Sequence, residues 1–153
     1  MAHIKLTEQP EYEFHYKVTI RSTDINYRGH LGYDALVALF SEAGIDMFRS
    51  LGFRDSGHGD DKTGVAMADL TVNYKAEAFM FDELIIDTHV GELKEKGFTS
   101  FHRIRKGTDI VALAEAGLVS FDFVHHKVVP LPETFRQSLQ EYKRRNQIIS
   151  IQD

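Results

Sequence analysis

Residues 23–40 read TDINYRGHLGYDALVALF and pass straight from a polar loop into a long apolar helix. Apolar side chains recur at helical spacing from Gly32 to Gly52, and a glycine at the end of such a run favours helix termination. At ~1.5 Å per residue this helix is about 30 Å long, which is enough to cross a small sheet. The preceding loop places acids, an amide and an imidazole where helix-end N–H groups favour negative charge. The stretch therefore predicts the central element of the fold and a site beside its N-terminus.

Most of the remaining chain alternates apolar and polar residues, as half-buried β-strands do. One strand, at residues 12–20, precedes the helix. Four long strands follow it, at residues 64–76, 83–93, 99–105 and 110–124, and a charged helix from about Glu133 to Asn146 comes last. Four consecutive long strands favour an antiparallel meander, with the long helix covering its apolar face. The loop at residues 54–63 is too polar to bury itself, and we expect it to be mobile.

Composition limits the classes of protein to which this chain can belong. With 153 residues, 42% of them hydrophobic, the sequence predicts one domain over residues 1–153. The absence of cysteine excludes disulfides, thiolate zinc sites and a cysteine nucleophile, and it suits a reducing compartment, so we expect a cytoplasmic protein. No run of ~18 apolar residues could span a bilayer, so we expect no membrane partner. The net charge of -5 argues against a nucleic-acid partner.

Several motifs follow one another in a recognisable order. They are D-x-x-x-x-G-H from Asp24 to His30, Val72-Asn73-Tyr74 near a strand end, Asp82-Glu83-Leu84 opening the next strand, Ser100 in the fourth strand, and V-x-F-D before VVPLPETF. In order and spacing they resemble the hotdog-fold acyl-CoA thioesterases, in the branch of the 4-hydroxybenzoyl-CoA thioesterases. The resemblance covers about residues 11–140.

This resemblance implies an α+β hotdog fold, in which an antiparallel five- or six-stranded sheet is wrapped around one long central helix, with a C-terminal helix. It also implies hydrolysis of an acyl-CoA thioester to a free acid and CoA, with CoA present as part of the substrate and no further cofactor. Members form obligatory homodimers, often paired into dimers of dimers. Their active sites lie at the dimer interface, beside the N-terminus of the central helix. The expected partners are therefore acyl-CoA and further copies of the chain.

The loop departs from the family pattern at one important position. Many members carry two acids, five and three residues before the glycine, and the second is the catalytic carboxylate. Counted back from Gly29, these positions hold Asp24 and Asn26, so an amide stands where the usual acid would be. The residues from Leu31 to Asp34 also replace the common V-N-N-A. The resemblance therefore implies, for this chain, only the location of the site and the role of the helix-end amides.

Thioester hydrolysis needs a carboxylate that attacks the carbonyl or activates water, and donors placed where the oxyanion forms. Asp24 can supply the carboxylate, and Asn26 could orient a water or the thioester oxygen. Both residue types also make turn bonds, which is the structural alternative. The backbone amides of Gly32 and Tyr33 are expected to be free donors at the helix start.

Two further side chains are candidates for the chemistry. His30 lies four residues before Asp34, so the two could hydrogen-bond across the first turn. Its imidazole could serve as a general base or could only close the loop. Glu42 shares a helix face with Asp46 and is a reserve carboxylate, since a helix acid is catalytic in related hotdog enzymes. A solvated or interface-paired helix face is the other interpretation of Glu42.

Basic residues on two neighbouring predicted strands and their turns could hold the nucleotide and phosphates of CoA. The candidates are Lys94, Lys96 and Arg105, together with Arg103 and Lys106. Ordinary solvated strand residues are the alternative. His58, His125 and His126 lack the companion spacing of a metal site, so we expect exposed loop histidines and no metal.

Two functions remain open from the sequence. The first is an acyl-CoA thioesterase in which Asp24, or failing it Glu42, promotes attack by water with help from Asn26 and His30. The second is a non-catalytic hotdog protein that binds acyl-CoA or an acyl carrier, which the amide of Asn26 at the usual acid position would allow. A hydratase or dehydratase of the same fold ranks last, because those enzymes resemble a different pattern of a histidine and an acid.

Overall fold

The structure, a computed structural model, describes residues 3–54 and 57–152, with side chains described through residue 147. Strand β1 (Phe14–Thr19) is followed by a short 3-10 turn (Ser22–Asp24) and helix α1 (Tyr33–Ser50). Four long strands come next, and they are β2 (Thr63–Tyr74), β3 (Glu83–Leu93), β4 (Gly97–Lys106) and β5 (Asp109–Asp122). A short strand β6 (Lys127–Val128) and helix α2 (Glu133–Gln152) complete the order.

The strands form one antiparallel, six-stranded sheet in the order β1-β3-β4-β5-β2, and β6 pairs with the end of β5. The expected meander is right for β3, β4 and β5 but wrong for β2. That strand pairs with β5 along its whole length, and β1 takes the place beside β3. Alternation locates a strand but does not encode its neighbour, because pairing depends on the connections and on how α1 packs.

Helix α1 lies along the apolar face of the sheet. Its residues Leu36, Leu39, Phe40 and Ala43 are buried in one core cluster. The strand residues in this cluster include Leu84, Ile86, Ile104, Val111, Ala112 and Ala114. Each large apolar side chain buried in this way contributes roughly 1.5–3 kcal/mol, so the cluster fixes α1 against the sheet. One long helix packed within a six-stranded antiparallel sheet is the expected hotdog architecture.

Helix α2 packs against the other half of α1. Phe135 of α2 is fully buried, with its ring centroid 5.6 Å from that of Phe48 on α1 and 5.3 Å from that of Phe98 on β4. Leu139 and Met47 belong to the same cluster. These contacts hold the C-terminal half of α1. The first turn of α1 lies outside this cluster.

The N-terminal segment crosses the outer face of the sheet. Val72 packs in the core, so its neighbour Asn73 points to the opposite face. There the side-chain Oδ1 of Asn73 accepts the N–H of Leu6 (2.6 Å). Glu8 lies 2.8 Å from Arg103, whose guanidinium also packs over a tyrosine ring near the start of β1. The segment therefore ties the edge strand β2 to the far side of the sheet.

The element boundaries shift by a few residues from those predicted, and α2 continues to Gln152 rather than ending near Asn146. The sequence does not predict β6, because two residues carry no detectable alternation. Part of the loop predicted as mobile, Asp55 and Ser56, lies outside the described residues. Within the described ranges no helix is both long and apolar enough to cross a membrane.

Candidate active site

The loop before α1 is organised by Asn26. Its backbone N–H donates to the carbonyl of His30 (2.9 Å), and its side-chain Oδ1 accepts from the N–H of Arg28 (3.0 Å) and of His30 (3.4 Å). Gly29 takes a φ of 87°, a left-handed conformation that glycine adopts without strain. Because the loop occupies Oδ1, it is the NH₂ group of Asn26 that can act on a ligand.

The carboxylate of Asp24 faces Arg21. It accepts the backbone N–H of Arg21 (2.8 Å) and two guanidinium N–H groups at 3.2 and 3.1 Å. The bonds from the Arg21 side chain lower the pKa of Asp24, whose side chain is buried. The backbone carbonyl of Asp24 accepts the N–H of Gly32 (3.1 Å). Asp24 therefore fastens the loop to the start of α1, and both of its carboxylate oxygens are engaged.

The expectation of a free donor at Gly32 is wrong, because closure of the loop onto Asp24 uses that N–H. The next amide, that of Tyr33, lies in the first turn of α1 and has no acceptor within the helix. Gly32 is the N-cap and makes no side-chain cap bond. The dipole of α1 strengthens a donor in this position. Tyr33 is therefore the candidate oxyanion donor at the start of α1.

A pocket of about 380 Å³ opens beside this end of α1. Its polar lining comes from the loop, α1, β2 and the segment after β2, and consists of Asn26, His30, Tyr33, Tyr74, Lys75 and Glu77. The Nε2 atom of His30 lies 3.9 Å from Oε1 of Glu77. Burial raises the pKa of Tyr74, so its phenol remains protonated. The pocket thus joins an imidazole, a carboxylate, an ammonium group, an amide and a helix-end N–H.

Glu77 is a charged residue of this pocket that the sequence does not single out. It follows β2 directly, and the N–H of Leu31 bonds to the carbonyl of the adjacent Ala78 (2.7 Å), which joins this segment to the loop. Through that contact Glu77, rather than the predicted partner Asp34, comes to lie beside His30. A charged residue just past a strand end was the only sequence signal, and it does not identify a partner so far away along the chain.

Glu42 is not part of the lining of this pocket. It is exposed on α1, one turn before Asp46. Its charge contributes, after that of Asp24, to the raised pKa of Arg21, which places Glu42 on the Arg21 side of the helix. Of the two acids near Arg21, Glu42 is accessible and Asp24 is not.

The structure separates the residues predicted to bind CoA. Lys94 and Lys96 line one pocket of about 390 Å³ at the start of β4, close to Asp69 of β2. Arg105 lies at the other end of β4, where its Nε is 2.7 Å from the buried carboxylate of Asp87. Arg103 bonds to the same carboxylate (2.8 Å). The two lysines therefore stay together, and Arg105 does not join them.

The histidines expected to be exposed in loops differ from one another. His125 and His126 are exposed, but His58 is buried, with 6% of its surface accessible. Its ring contacts Phe48 of α1 and Phe135 of α2. The expectation for His58 is wrong because elements distant along the chain cover it. Within residues 3–54 and 57–152, no group of three or more acids and histidines is placed to hold a metal ion.

Comparison with known proteins identifies a family by sequence and similar folds by structure. The sequence matches the family described as the thioesterase-like superfamily over residues 20–139. No curated protein matches the sequence. Among solved structures, the gentisyl-coenzyme A thioesterase BH1999 superimposes with a TM-score of 0.74 at 27% identity, over 81% of this chain and 98% of that one.

Two more distant structures share the fold. The 1,4-dihydroxy-2-naphthoyl-CoA thioesterase Slr0204 from Synechocystis has a TM-score of 0.73 at 16% identity, over 82% of this chain and 93% of that one. The protein SAV2348 from Staphylococcus aureus, solved in complex with CoA, has a TM-score of 0.75 at 14% identity, over 92% of this chain and 89% of that one. These likenesses confirm the hotdog fold.

Proposed function

Because the chain belongs to the thioesterase-like superfamily, we propose that it hydrolyses an acyl-CoA thioester to a free acid and CoA. The observation that carries the proposal is the pocket at the N-terminus of α1, where His30, Glu77 and the helix-end N–H of Tyr33 lie together. A base, a partner for that base and an oxyanion donor are the groups that this hydrolysis needs.

In the proposed mechanism His30 is the general base. Its neutral imidazole takes a proton from the water that attacks the thioester carbonyl, and the carboxylate of Glu77 stabilises the imidazolium that forms. Their separation of 3.9 Å is long for a hydrogen bond, and such contacts tighten when substrate binds. The developing oxyanion accepts the N–H of Tyr33 and the NH₂ group of Asn26. Collapse of the tetrahedral intermediate expels the CoA thiolate, which takes the proton from His30.

The two acids suggested by the sequence receive other roles. Asp24 positions the loop, because three N–H groups of Arg21 bond to its oxygens and the lowered pKa makes it a weak base. Glu42 remains the alternative base, since its carboxylate is exposed and lies on the same side of α1 as Arg21.

We further propose that two copies pair through β2 and that Lys94 and Lys96 hold the phosphates of CoA. Strand β2 is a twelve-residue edge strand. Gly57 and His58 pair with its start, at Thr63 and Gly64, and the open edge beyond them is a template for another strand. The lysine pocket includes Asp69 in the middle of β2, whereas Tyr74 at its end lines the candidate active site. Antiparallel pairing would bring the lysines of one copy toward the active site of the other. CoA enters as part of the substrate, with no further cofactor.

One observation favours the second candidate function, binding of acyl-CoA without turnover. The position of the usual family acid is held by Asn26, which cannot take a proton, and the nearby carboxylate of Asp24 is bonded to Arg21. If His30 is not a base, this loop can bind a thioester carbonyl and do nothing more. The two functions differ in one measurable property, which is thiol release.

The test measures thiol release from short, medium, long and aromatic acyl-CoAs. The variant His30→Gln is expected to lose roughly 100-fold or more in kcat/KM, because a general base typically contributes that much. The matched control is His125→Gln. That imidazole also lies beside a carboxylate, at 2.9 Å from Asp122, but on the exposed hairpin between β5 and β6, so its loss should leave activity unchanged.

Two results would change the assignment. Full activity in folded His30→Gln together with an inactive Glu42→Ala variant would transfer the role of base to Glu42. Failure of the wild-type protein to hydrolyse any thioester, with CoA binding still measured by calorimetry, would replace the hydrolase by the binding protein.

A further inference from the structure

A second cavity, of about 200 Å³, lies between α1 and the sheet. Its apolar walls include Phe40, Ile45, Met47, Val65 and Leu118. The mouth is marked by the exposed Ser41 and by Met67, and the floor by Ser100 and His102, which are 1% and 5% accessible. Apolar cavities of about 150 Å³ already hold a benzene molecule, so this one can take a short alkyl segment.

The floor of the cavity is a hydrogen-bonded chain. The Nδ1 atom of His102 lies 3.0 Å from the hydroxyl of Thr88, and Nε2 lies 2.9 Å from the hydroxyl of Ser100. Burial lowers the pKa of His102 to about 4, so the ring is neutral, with one nitrogen donating and the other accepting. In the part of the chain that the structure describes, no charged group bonds to the His102 ring, which suits a site for an uncharged ligand group.

Ser100 keeps hydrogen-bonding capacity in either tautomer of His102. If Nε2 carries the hydrogen, the oxygen of Ser100 accepts it and the serine hydrogen is free to donate. If Nδ1 carries the hydrogen, Ser100 donates to Nε2 and still has lone pairs to accept a further bond. A hydroxyl group can both donate and accept. It therefore complements Ser100 in both cases, whereas a methyl group complements it in neither.

The arrangement also has the connectivity of a nucleophile, a base and an orienting group, but its electrostatics do not suit catalysis. A base must hold the serine proton as the bond to the carbonyl forms. An imidazole with a pKa of about 4, with neutral Thr88 at its other nitrogen, has little affinity for that proton. Ser100 is therefore a binding group rather than a nucleophile.

The position of the cavity along α1 determines which part of an acyl group can reach it. Tyr33, Val37 and Gly44 share one face of α1, which leads from the candidate active site to the cavity. Ser41 at the mouth is eight residues beyond Tyr33, about 12 Å at ~1.5 Å per residue. A thioester carbonyl held at the N–H of Tyr33 would thus place the far end of a medium-length chain in the cavity.

We propose that the cavity binds the far end of the acyl chain and that Ser100 selects chains with a hydroxyl group there. The inference rests on the proposed hydrolysis and names its substrate class, medium-length acyl thioesters hydroxylated at or near the end of the chain. A plain chain would leave the spare hydrogen-bonding capacity of Ser100 unsatisfied in an apolar cavity, and sites built to bond a hydroxyl discriminate against ligands that lack it.

The experiment compares kcat/KM for ω-hydroxydecanoyl-CoA with kcat/KM for decanoyl-CoA. The wild-type protein is expected to favour the hydroxylated thioester by roughly tenfold, the effect of one buried hydrogen bond. In Ser100→Ala this ratio should fall to about one. The matched control is Ser120→Ala, which removes an equally buried strand hydroxyl that bonds to the carbonyl of Pro130 outside the cavity. The control should keep the wild-type ratio.

A wild-type ratio near one, or a ratio unchanged in folded Ser100→Ala, would overturn this inference and leave the hydrolase standing. If neither thioester is hydrolysed, the proposed hydrolysis is contradicted for these two substrates. NMR of the wild-type protein then tests the hydroxyl selectivity of the cavity separately. The ring nitrogen resonances of His102 should shift with ω-hydroxydecanoic acid and less with decanoic acid, and equal shifts would refute the proposal. If Ser100→Ala does not fold, the same NMR spectra of the wild-type protein replace the measurement on the variant.

Discussion

At the scale of single residues, His30 and His102 place the same side chain in two different environments. His30 is 31% exposed and faces the carboxylate of Glu77 in an open pocket, which permits proton transfer to and from a ligand. His102 is enclosed, and the two hydroxyls that bond to it carry no charge. Burial therefore favours the neutral form of His102, and protonation of that ring must act against folding.

The pH dependence of stability provides a test at this scale. The pKa of His102 is lowered from its ordinary 6.5 to about 4, so between these values the unfolded chain binds more protons than the folded one. The contribution of His102 is fully present above about pH 6.5 and is lost as pH falls toward 4. The free energy of unfolding should decrease by roughly 3 kcal/mol more in wild type than in His102→Gln over this window.

Urea titrations at several pH values measure this difference. The exposed His126 makes a matched control, since His126→Gln should keep the pH dependence of the wild type. Parallel pH profiles for wild type and His102→Gln would show that burial of this imidazole does not oppose its protonation.

Residue types in the sequence predicted a site in the loop at Asp24, Asn26 and His30, and the structure places this loop directly before α1, with Asn26 and His30 lining the candidate pocket. Their bonding could not be read from the sequence. Asp24 is engaged by Arg21, and the partner of His30 comes from the end of β2. A short polar loop permits many hydrogen-bond patterns, and contacts with the rest of the fold select among them.

At the scale of secondary-structure elements, a glycine in a strand and a glycine in a helix have opposite effects on stability. Gly97 opens β4, and a Cβ there would overlap the backbone carbonyl oxygen of Leu118 on β5. Gly44 lies inside α1, where a Cβ would meet no atom within 4 Å. The close approach of two strands requires glycine in the first case, whereas the second glycine only weakens its helix.

The same substitution should therefore change stability in opposite directions. Gly97→Ala is expected to lower the free energy of unfolding by about 2–3 kcal/mol, because β4 and β5 must separate to admit the methyl group. Gly44→Ala should raise it by about 1 kcal/mol, the helix preference of alanine over glycine. Urea unfolding of both variants measures the two changes in the free energy of unfolding. A Gly97→Ala protein as stable as wild type would show that the strands move apart at little cost.

At the scale of the whole molecule, the open edge of β2 is where we propose that two copies of the chain pair. The N–H of Lys75, just past β2, bonds to the carbonyl of Val111 on β5. Since N–H groups alternate in direction along a strand, that of Val72 points away from β5, toward the open edge. This donor is one that a second copy of β2 would use.

We expect wild-type protein to sediment at twice the 17.5 kDa of one chain, and Val72→Pro to sediment as a monomer because proline removes that donor. Val72→Ala loses the same core packing but keeps the N–H, so it should remain a dimer. Sedimentation equilibrium of the three proteins, with circular dichroism as the check on folding, measures the outcome. A dimer of folded Val72→Pro would place the interface elsewhere.

By itself the sequence determined the long helix, the C-terminal helix and five of the six strands that the structure describes, because periodicity and turn chemistry act between near neighbours. It also predicted a site beside the start of the long helix. Tertiary structure alone decided that β2 pairs with β5, that His58 is buried, that Glu77 faces His30, and that Ser100 and His102 form the floor of a cavity. Each of these depends on contacts between segments far apart along the chain. Local sequence patterns do not predict such contacts, because they form only when α1 packs against the sheet.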